Sequence, residues 1–212
     1  MRYYPVLLDV RGRCCVVVGG GKVAERKVVA LIDAGADLAV VSLELTPFLT
    51  ELASRGTIAH RSKSFDERDL AGAYLVIAAT NDASVNENVA RTCRKAGILV
   101  NAATSPGEGT FVVPSVVVRG DMLIAISTCG SSPALSRKVR QDLEHAFGPE
   151  YAVFLEKMGL LRRKLLRVLP DEHIRRKVFQ ALVDSDVLEL LRSGKDHDAD
   201  TRILQVVKTI TG

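Results

Sequence analysis

The sequence predicts an α/β fold: a doubly wound parallel sheet, followed by a hairpin-plus-helix module and a helical tail. Three observations support this prediction. Short β-branched runs alternate with helical patterns through the first half of the chain. A glycine-rich turn joins the first run to the first helical pattern. Strand signals disappear beyond residue 150, where only helical periodicity remains. Alternating strands and helices are typical of a parallel sheet with helices on both faces.

Length and composition are those of a globular protein with a packed core. The chain has 212 residues, of which 47% are hydrophobic and 25% charged, and this balance excludes a disordered chain. No apolar run approaches the roughly 18 residues that a membrane helix needs. The N-terminal run 6–8 is too short for a signal sequence and ends at Asp9. We therefore expect a cytoplasmic location and no membrane partner.

Charge and cysteine content exclude two further classes of function. The net charge is only +4, aromatic residues make up 5%, and there is no Trp, so we expect no nucleic-acid partner. No CxxC pair is present and the four histidines are scattered, so we expect no metal site. The cysteines are expected to be small buried residues in a reducing cytosol.

The first half of the chain carries five strand signals and three helix signals. Gly35 and Gly97 end helices, whereas Thr46 and Pro47 fit the N-cap and the first turn of one. The predicted strands are 14–18, 38–41, 57–60, 74–79 and 98–101, and the helices between them are 23–34, 46–54 and 84–96.

The second half begins with an antiparallel hairpin. Two β-rich runs, 110–119 and 122–127, flank a Gly-Asp turn. A helix over 131–145 follows, with Ser132 and Pro133 at its start. A lone two-stranded hairpin is marginal in water, so we expect this module to bury its face against its own helix and a second subunit. The alternative is that the hairpin packs only on its own sheet domain.

The tail is predicted to be entirely helical. One apolar stripe recurs at helical spacing before Pro170 breaks it, and its members are Phe154, Met158, Leu161, Leu165 and Val168. The sequence therefore predicts a nucleotide-binding sheet domain over 1–113, a dimerisation and substrate module over 114–150, and a helical C-terminal domain over 151–212.

The turn 19–24 reads GGGKVA and fits the pattern G-x-G-x-x-A. It follows a strand and opens a helix, the setting in which a Rossmann dinucleotide site is formed. Gly19 permits the tight turn, Gly21 lets the backbone approach a diphosphate, and Ala24 allows close helix packing. The free N–H groups of the helix N-terminus then face the phosphates. The alternative is a glycine turn without a ligand.

The residues after the second strand predict the choice of cofactor. A ribose-binding acid is expected about 20 residues past the glycines, and Glu44 is the only carboxylate in reach. No Arg or Lys lies between Lys27 and Arg55, so a 2′-phosphate finds no cation in this loop. The sequence therefore favours NAD over NADP. Glu44 could alternatively be a solvated loop acid.

Polar residues also follow the fourth and fifth strands. Ligands of open α/β sheets lie beyond the carboxyl ends of the strands, so Thr80, Asn81 and Asn101 are candidates for the nicotinamide-side ribose. For the first two, the alternative is a turn that caps the next helix, and both roles are compatible.

Taken together, these motifs resemble one family. The sequence of residues 1–150 resembles precorrin-2 dehydrogenase, the dehydrogenase part of siroheme synthase, in both order and spacing, whereas the tail matches only loosely. No methyltransferase domain follows, so the free-standing form is expected. The runs that carry the resemblance are VVVGGGKVAERK, AGA, FDERDL, AATND, NAA, FVVPSVV and IAISTCGSSPALSRKVR.

The resemblance implies NAD-dependent oxidation of precorrin-2, a tetrapyrrole, to sirohydrochlorin on the way to siroheme or related tetrapyrroles. It also implies a homodimer, with contacts exchanged through the segment after the Rossmann domain. The family's cofactor positions correspond to Lys22 and Val23 at the turn and to Leu43 and Glu44 after the second strand. Some members also insert iron, so a bifunctional dehydrogenase and ferrochelatase is an alternative.

One position departs from the family pattern. Several members carry an Asp, with a role in both activities, in the turn where this chain has Thr104, and the nearest acid is Glu108. Thr has no carboxylate to act as a base or an iron ligand. These two residues are the candidates for a catalytic role, and the departure argues against iron insertion more than against hydride transfer, whose chemistry the cofactor carries.

Basic residues of the second module are candidates for binding the substrate's carboxylates. They are Arg119, Arg137 and Lys138, with Arg140 nearby. The alternative for the last three is a solvated helix face. A different class of function, a non-catalytic NAD-sensing module, leaves the FVVPSVV and SSPALSR segments unexplained.

Overall fold

The computed structural model describes residues 3–103 and 106–212. The chain divides into two compact units, Met1–Val113 and Pro114–Gly212. The predicted division of the second part at residue 150 stays a prediction.

The first unit is a five-stranded parallel sheet with strand order β3-β2-β1-β4-β5. Its strands are β1 (Cys14–Val18), β2 (Asp37–Val41), β3 (Ala59–Arg61), β4 (Leu75–Ala78) and β5 (Leu99–Ala102). Its helices are α1 (Lys22–Asp33), α2 (Pro47–Ser54) and α3 (Ala83–Ala96). The predicted doubly wound sheet is therefore confirmed, with boundaries that differ from the predicted ones by at most two residues.

Side chains of the inner strands point alternately to two buried faces. In β1, Cys15 and Val17 join a core that includes α1 and α2. Val16 and Val18 join the opposite core, which includes α3. All four side chains are buried. Because both faces of a parallel sheet are covered, its strands are continuous apolar runs rather than alternating ones.

Helix ends follow the local signals in the sequence. Thr46 Oγ1 accepts a hydrogen bond from the Leu49 N–H at 3.3 Å, and Pro47 opens α2. Gly97 ends α3 in the left-handed region with φ of 69°. Thr46 therefore ends the loop that follows β2 at the carboxyl edge of the sheet, and Gly97 begins the turn that leads into β5 at the opposite edge.

The second unit consists of a hairpin followed by helices. The hairpin strands are β6 (Ser115–Arg119) and β7 (Met122–Ile126), and the helices are α4 (Pro133–Ala146), α5 (Glu150–Val168), α6 (Glu172–Val183), α7 (Val187–Arg192) and α8 (Asp196–Thr211). The first hairpin strand was predicted from residue 110, which is wrong: it begins at Ser115. Pro114 has no N–H to donate to a strand ladder.

The helices after α4 enclose their own apolar core. Phe154, Met158 and Leu165 of α5 pack with buried residues of α6, α7 and α8. Val168 was predicted to share this stripe, but it is 65% exposed. Helix α5 ends at Val168, so that residue has no further turn of helix to hold it against the neighbouring helices. In the part of the chain that is described, no helix is both long and apolar enough to cross a membrane.

Candidate functional site

A cavity of about 680 Å³ opens at the carboxyl edge of the sheet in the first unit. Four loops form it, those after β1, β2, β3 and β4. The lining residues are 18–23, 41–46, 63–65, 79–81 and Val85. Its volume lies within the range of small-molecule sites, and ligands of open α/β sheets bind at this edge.

The turn after β1 packs against two other loops, and only glycine fits there. Gly19 has φ of 119°, and a Cβ on it would lie 2.4 Å from the Ala79 carbonyl oxygen. A Cβ on Gly20 would lie 2.0 Å from the Glu44 carbonyl oxygen. Gly20 occupies a variable position of the motif G-x-G-x-x-A, so the sequence did not predict that only glycine fits there. The restriction comes from the loop after β2, which lies outside residues 19–24.

Gly21 differs from its neighbours because a Cβ on it would meet no protein atom within 4 Å. It is the N-cap of α1, and no side chain caps the first-turn N–H groups of that helix. Lys22 and Val23 follow it and also line the cavity. The turn is therefore open to the cavity and presents helix N–H groups to an anion. These features fit the diphosphate of a dinucleotide.

Three contacts fix the loop after β2. Ser42 Oγ donates to the Glu44 carbonyl oxygen at 2.7 Å, and the Thr46 N–H donates to the Gly20 carbonyl oxygen at 3.0 Å. His60 Nε2 lies 3.0 Å from the Ser42 carbonyl oxygen. The loop carries Leu43 and Glu44, which are exposed and line the cavity. Their predicted position near the glycine turn agrees with the structure, and a role in binding stays a prediction.

A charged cluster lies beside the glycine turn. Glu25 of α1 accepts hydrogen bonds from Thr46 Oγ1 at 2.5 Å and from Lys22 Nζ at 3.0 Å. The Thr46 hydrogen bond and then the Lys22 ammonium lower the pKa of the Glu25 carboxyl. This contact ties the first turn of α1 to the start of α2, and it joins Lys22 and Thr46, which both line the cavity.

The loop after β4 is clamped by a residue that the sequence did not single out. Asn86 of α3 is fully buried, and its amide accepts from the Thr80 N–H at 3.0 Å and donates to the Thr80 carbonyl at 2.9 Å. The Thr80 hydroxyl is also engaged within this turn, with Asp82 and Asn86. Asp82 caps α3. Thr80 and Asn81 were both predicted to bind the ribose. Because the Thr80 hydroxyl is engaged within the turn, Asn81 is the one of the two whose side chain is more available to a ligand in the cavity.

A lysine from the loop after β3 also lines the cavity. Lys63 Nζ lies 3.0 Å from Oδ2 of Asp69, a carboxylate that is nearly buried. Burial raises the pKa of Asp69, but hydrogen bonds from the Asp66 N–H and Lys63, with the Lys63 charge, outweigh it and lower the pKa overall. Lys63 was not predicted as a cavity residue, because the expected choice of cofactor came from the loop after β2 alone.

The remaining predicted residues of the first unit lie elsewhere. Asn101 is buried in β5 and is not among the residues that line the cavity; its amide donates to the Phe111 carbonyl oxygen at 3.1 Å. Glu108 is paired with Arg94, whose Nη1 lies 2.6 Å from its carboxylate. Thr104 lies outside the described residues.

The candidate substrate residues of the second unit divide into two kinds. The Arg119 guanidinium donates to the carbonyl oxygens of Phe147, Glu144 and Val118, at 2.8 to 3.1 Å. It therefore ties β6 to the end of α4. Lys138 pairs with Asp142 one turn away. Arg137 is exposed and makes no hydrogen bond or ion pair with another described residue, so it is the candidate with a guanidinium left for a ligand.

Comparison with known families identifies the first unit. The sequence model of a family described as "Putative NAD(P)-binding" matches residues 6–115, just over half of the chain. This chain belongs to that family. A second sequence model, described as "Sirohaem biosynthesis protein central", matches residues 119–146 of this NAD(P)-binding protein. The glycine turn and the cavity lie within the first match, and the hairpin turn and α4 within the second.

Curated relatives and a solved structure resemble nearly the whole NAD(P)-binding chain. It is 35% identical to siroheme synthase of Methylococcus capsulatus over 97% of its length, and 36% identical to siroheme synthase of Nitrosococcus oceani over 94%. It spans 43% of the length of each relative. A solved structure titled "SirC, precorrin-2 dehydrogenase" superposes with a TM-score of 0.81 at 27% identity, covering 96% of this chain and all of that one.

Proposed function

We propose that this protein is an NAD-dependent dehydrogenase that oxidises precorrin-2 to sirohydrochlorin. The observation that carries the proposal is the cavity at the carboxyl edge of the sheet, whose glycine turn leaves room for a diphosphate at Gly21. The likeness to a precorrin-2 dehydrogenase over 96% of the chain supports the choice of substrate. A cytoplasmic location remains an expectation from the sequence.

Each part of the cavity has a role in this proposal. The uncapped first turn of α1 binds the diphosphate through backbone N–H groups. Glu44 accepts hydrogen bonds from the adenosine ribose, and its charge disfavours a 2′-phosphate. The Asn81 amide reaches the ribose on the nicotinamide side. When bound, NAD supplies the hydride acceptor, so the residues of this chain mainly position the two reactants.

No carboxylate of the turn around residue 104 is assigned as a base in this proposal. The Glu108 carboxylate is held by Arg94, and a Thr hydroxyl is a poor base near neutral pH. The proton lost by the macrocycle therefore passes to water. Thr104→Ala is expected to retain most dehydrogenase activity, and iron insertion is expected to be weak. A large loss of rate in this variant, or rapid iron insertion under anaerobic conditions, would contradict this part of the proposal.

The substrate's carboxylates are expected to meet Arg137, with Lys138 beside it. Arg137 has no partner among the described residues, whereas Arg119 is occupied by three carbonyl oxygens. Reversal of charge in Arg137→Glu should raise the KM for precorrin-2 with a smaller effect on the KM for NAD. An unchanged KM for precorrin-2 would remove Arg137 from the substrate site.

The proposed enzyme is a homodimer that uses the hairpin. Val116, Val118 and Leu123 are all at least 40% exposed on one face of it, and Val118 and Leu123 are cross-strand partners. An exposed apolar face of this kind marks an interaction site. Light scattering at micromolar concentration should give the dimer mass, and a monomer mass would contradict the assignment.

The catalytic proposal is tested by incubating the protein with precorrin-2 and NAD without oxygen and following the absorption spectrum. Conversion to sirohydrochlorin with stoichiometric formation of NADH is expected, and NADP should support a lower rate. Gly21→Val is the matched inactive variant, because its side chain occupies the space for the diphosphate, and its Cβ meets no protein atom within 4 Å. No conversion by the wild-type protein, or equal turnover with NADP, would refute the corresponding part.

A further inference from the structure

A lysine lines the same cavity as the predicted ribose-binding acid, although it comes from a different strand. Strands β2 and β3 are parallel neighbours, with Val41 opposite Arg61. Glu44 follows the first of these strands and Lys63 the second, and both line the cavity. Adjacent strands lie about 4.8 Å apart, so the two loops run side by side. Opposite charges therefore border one part of the cavity.

The order of the strands decides which end of a dinucleotide this part receives. The diphosphate belongs to the turn after β1, and the adenosine ribose to the acid after β2. Strand β3 lies beyond β2, on the side away from β4 and β5. Lys63 is therefore at the adenosine end of the cavity, and it is remote from the carbon atoms that exchange hydride.

Contacts with Asp69 hold Lys63 in place, but they do not cancel the positive charge around it. Its Nζ lies 3.0 Å from Oδ2 of Asp69, which also accepts from the Asp66 N–H at 2.9 Å. Arg61 Nη1 lies 3.3 Å from the other carboxylate oxygen. One carboxylate thus serves two cations, so the cluster keeps a net positive charge. An ammonium group has three N–H donors, and the Lys63 side chain is 47% exposed, so donors remain for a ligand.

We propose that Lys63, positioned by Asp69, is a second specificity residue for the ribose 2′ position and opposes Glu44. Glu44 accepts hydrogen bonds from the 2′-hydroxyl and repels a 2′-phosphate, whereas Lys63 attracts one. Discrimination against NADP then depends on the Glu44 charge alone. Without that charge the cavity already contains the cation that a 2′-phosphate requires. This inference rests on the proposed dinucleotide site and adds to it the origin of its cofactor preference.

The test is a double-mutant cycle on cofactor binding, measured by isothermal titration calorimetry with NAD and with NADP. The four proteins are the wild type, Glu44→Gln, Lys63→Met and the double variant. Glu44→Gln should increase the affinity for NADP by about tenfold or more, which is the size expected of one close charge pair. The gain should be lost in the double variant and retained when Lys63→Arg replaces Lys63→Met.

Controls separate this effect from a change in overall charge or fold. Lys95→Met removes a cation from α3 that does not line the cavity, and it should leave the NADP gain of Glu44→Gln intact. Thermal unfolding of each variant without ligand checks the fold. Lys63→Met should weaken NADP more than NAD in the Glu44→Gln background.

The outcomes distinguish this inference from the function on which it rests. If NAD binds and the gain of NADP affinity in Glu44→Gln is equal with and without Lys63, the role of Lys63 is refuted and the proposed function stands. If Glu44→Gln gives no gain at all, the opposition of the two charges is refuted. If the wild-type protein binds neither dinucleotide, the proposed function fails, and the inference fails with it.

Discussion

The two units of this protein bury their apolar surfaces in different ways. In the first unit, both faces of the parallel sheet are covered by helices, and most side chains of β1, β2, β4 and β5 are buried. In the second unit, the hairpin has one face covered by α4 and α5, whereas Val116, Val118 and Leu123 on its other face stay exposed. A sheet that is covered on both faces can present its edge to a ligand, whereas the exposed face of the hairpin is the surface that the proposed homodimer would use.

The units also use their polar groups differently. At the cavity of the first unit, α1 has N–H groups that no side chain caps, and Asn81 and Lys63 retain donors. In the second unit, the Arg119 guanidinium is occupied by three carbonyl oxygens, and Glu150 is paired with Arg192. Uncapped N–H groups and free side-chain donors therefore gather at the edge of the sheet, whereas Arg119 and Arg192 of the second unit hold its own elements together.

The largest expected effect separates two adjacent glycines of the first unit. Gly20→Ala brings a Cβ to 2.0 Å from the Glu44 carbonyl oxygen, so the loop after β2 must move. We expect a loss of about 3 kcal/mol or more in the free energy of unfolding, at or above the usual range for overpacking, together with loss of NAD binding. Urea denaturation and calorimetric titration measure the two quantities.

Gly21→Ala is the matched control, because its Cβ meets no protein atom within 4 Å. It should change the free energy of unfolding by less than about 1 kcal/mol while still weakening NAD binding. Equal destabilisation by the two substitutions would mean that the contact between the glycine turn and the loop after β2 does not matter.

The next largest effect is expected when the ion pair between Arg192 and Glu150 in the second unit is removed. Arg192→Met leaves the nearly buried Glu150 carboxylate, 3.1 Å from Arg192 Nη2, without its cation. We expect a loss of about 1–3 kcal/mol in the free energy of unfolding. Arg202→Met is the control: its ion pair with Asp186 is half-exposed on both sides, and such pairs contribute about 0–1 kcal/mol. Similar losses in both variants would contradict the special role of Glu150.

The same ion pair predicts that the free energy of unfolding depends on pH. Burial raises the pKa of Glu150, but backbone hydrogen bonds and Arg192 outweigh it, so the pKa in the folded state lies below its ordinary value. A carboxyl of this kind stabilises the fold fully above its unfolded pKa of about 4.3. Its contribution is lost as the pH falls through the folded pKa. The difference in unfolding free energy between wild type and Arg192→Met should therefore shrink below about pH 4.

A substitution on the exposed face of the hairpin is expected to have a smaller effect on stability. It should have a clear effect on assembly. Leu123 is 42% exposed, so Leu123→Lys should change the unfolding free energy of the monomer by no more than about 0.5 kcal/mol. It should nevertheless shift the mass measured by light scattering from dimer to monomer. Leu204→Lys, at an exposed position of α8, is the control and should remain dimeric. Dissociation of both variants alike would mean that the hairpin is not the specific interface.

The smallest expected effect is a difference in the rate of alkylation between the thiols of the two units. Burial raises the pKa of both Cys15 and Cys93 to about 11, so at pH 8 they are protonated and enclosed. Cys129 of the second unit is exposed. Alkylation at pH 8 followed by peptide mass mapping should modify Cys129 first and reach the two buried thiols only after unfolding. Rapid modification of Cys93 in the folded protein would contradict the closed core of the first unit.

Most of the fold could be predicted because its signals are local. Thr46 caps α2 and Gly97 ends α3 as expected, since both act through the backbone of their own turn. The β-branched runs identified the strands because burial on both faces requires uniformly apolar side chains. The start of the hairpin at Ser115 was missed, because strand pairing depends on an opposite strand as well as on β propensity.

The candidate site could be predicted only in part, for the same reason. The glycine motif and the loops after β2 and β4 were found from the sequence, because each follows a strand that its own residues identify. Three contributions came from elsewhere in the chain: the clamp by Asn86, the closeness of Gly20 to the Glu44 carbonyl oxygen, and the presence of Lys63 in the cavity that Glu44 also lines.

The sequence alone therefore determined the parallel sheet, the glycine turn and the helix boundaries, which depend on the conformational preferences of neighbouring residues. The tertiary structure alone decided which distant side chains share the cavity and which are occupied within the fold. Asn101 and Arg119 were both candidates for binding a ligand, yet both donate to carbonyl oxygens of the protein. Such a choice depends on strand order and on the groups that packing brings into hydrogen-bonding distance, and neither is encoded in the spacing of residues along the chain.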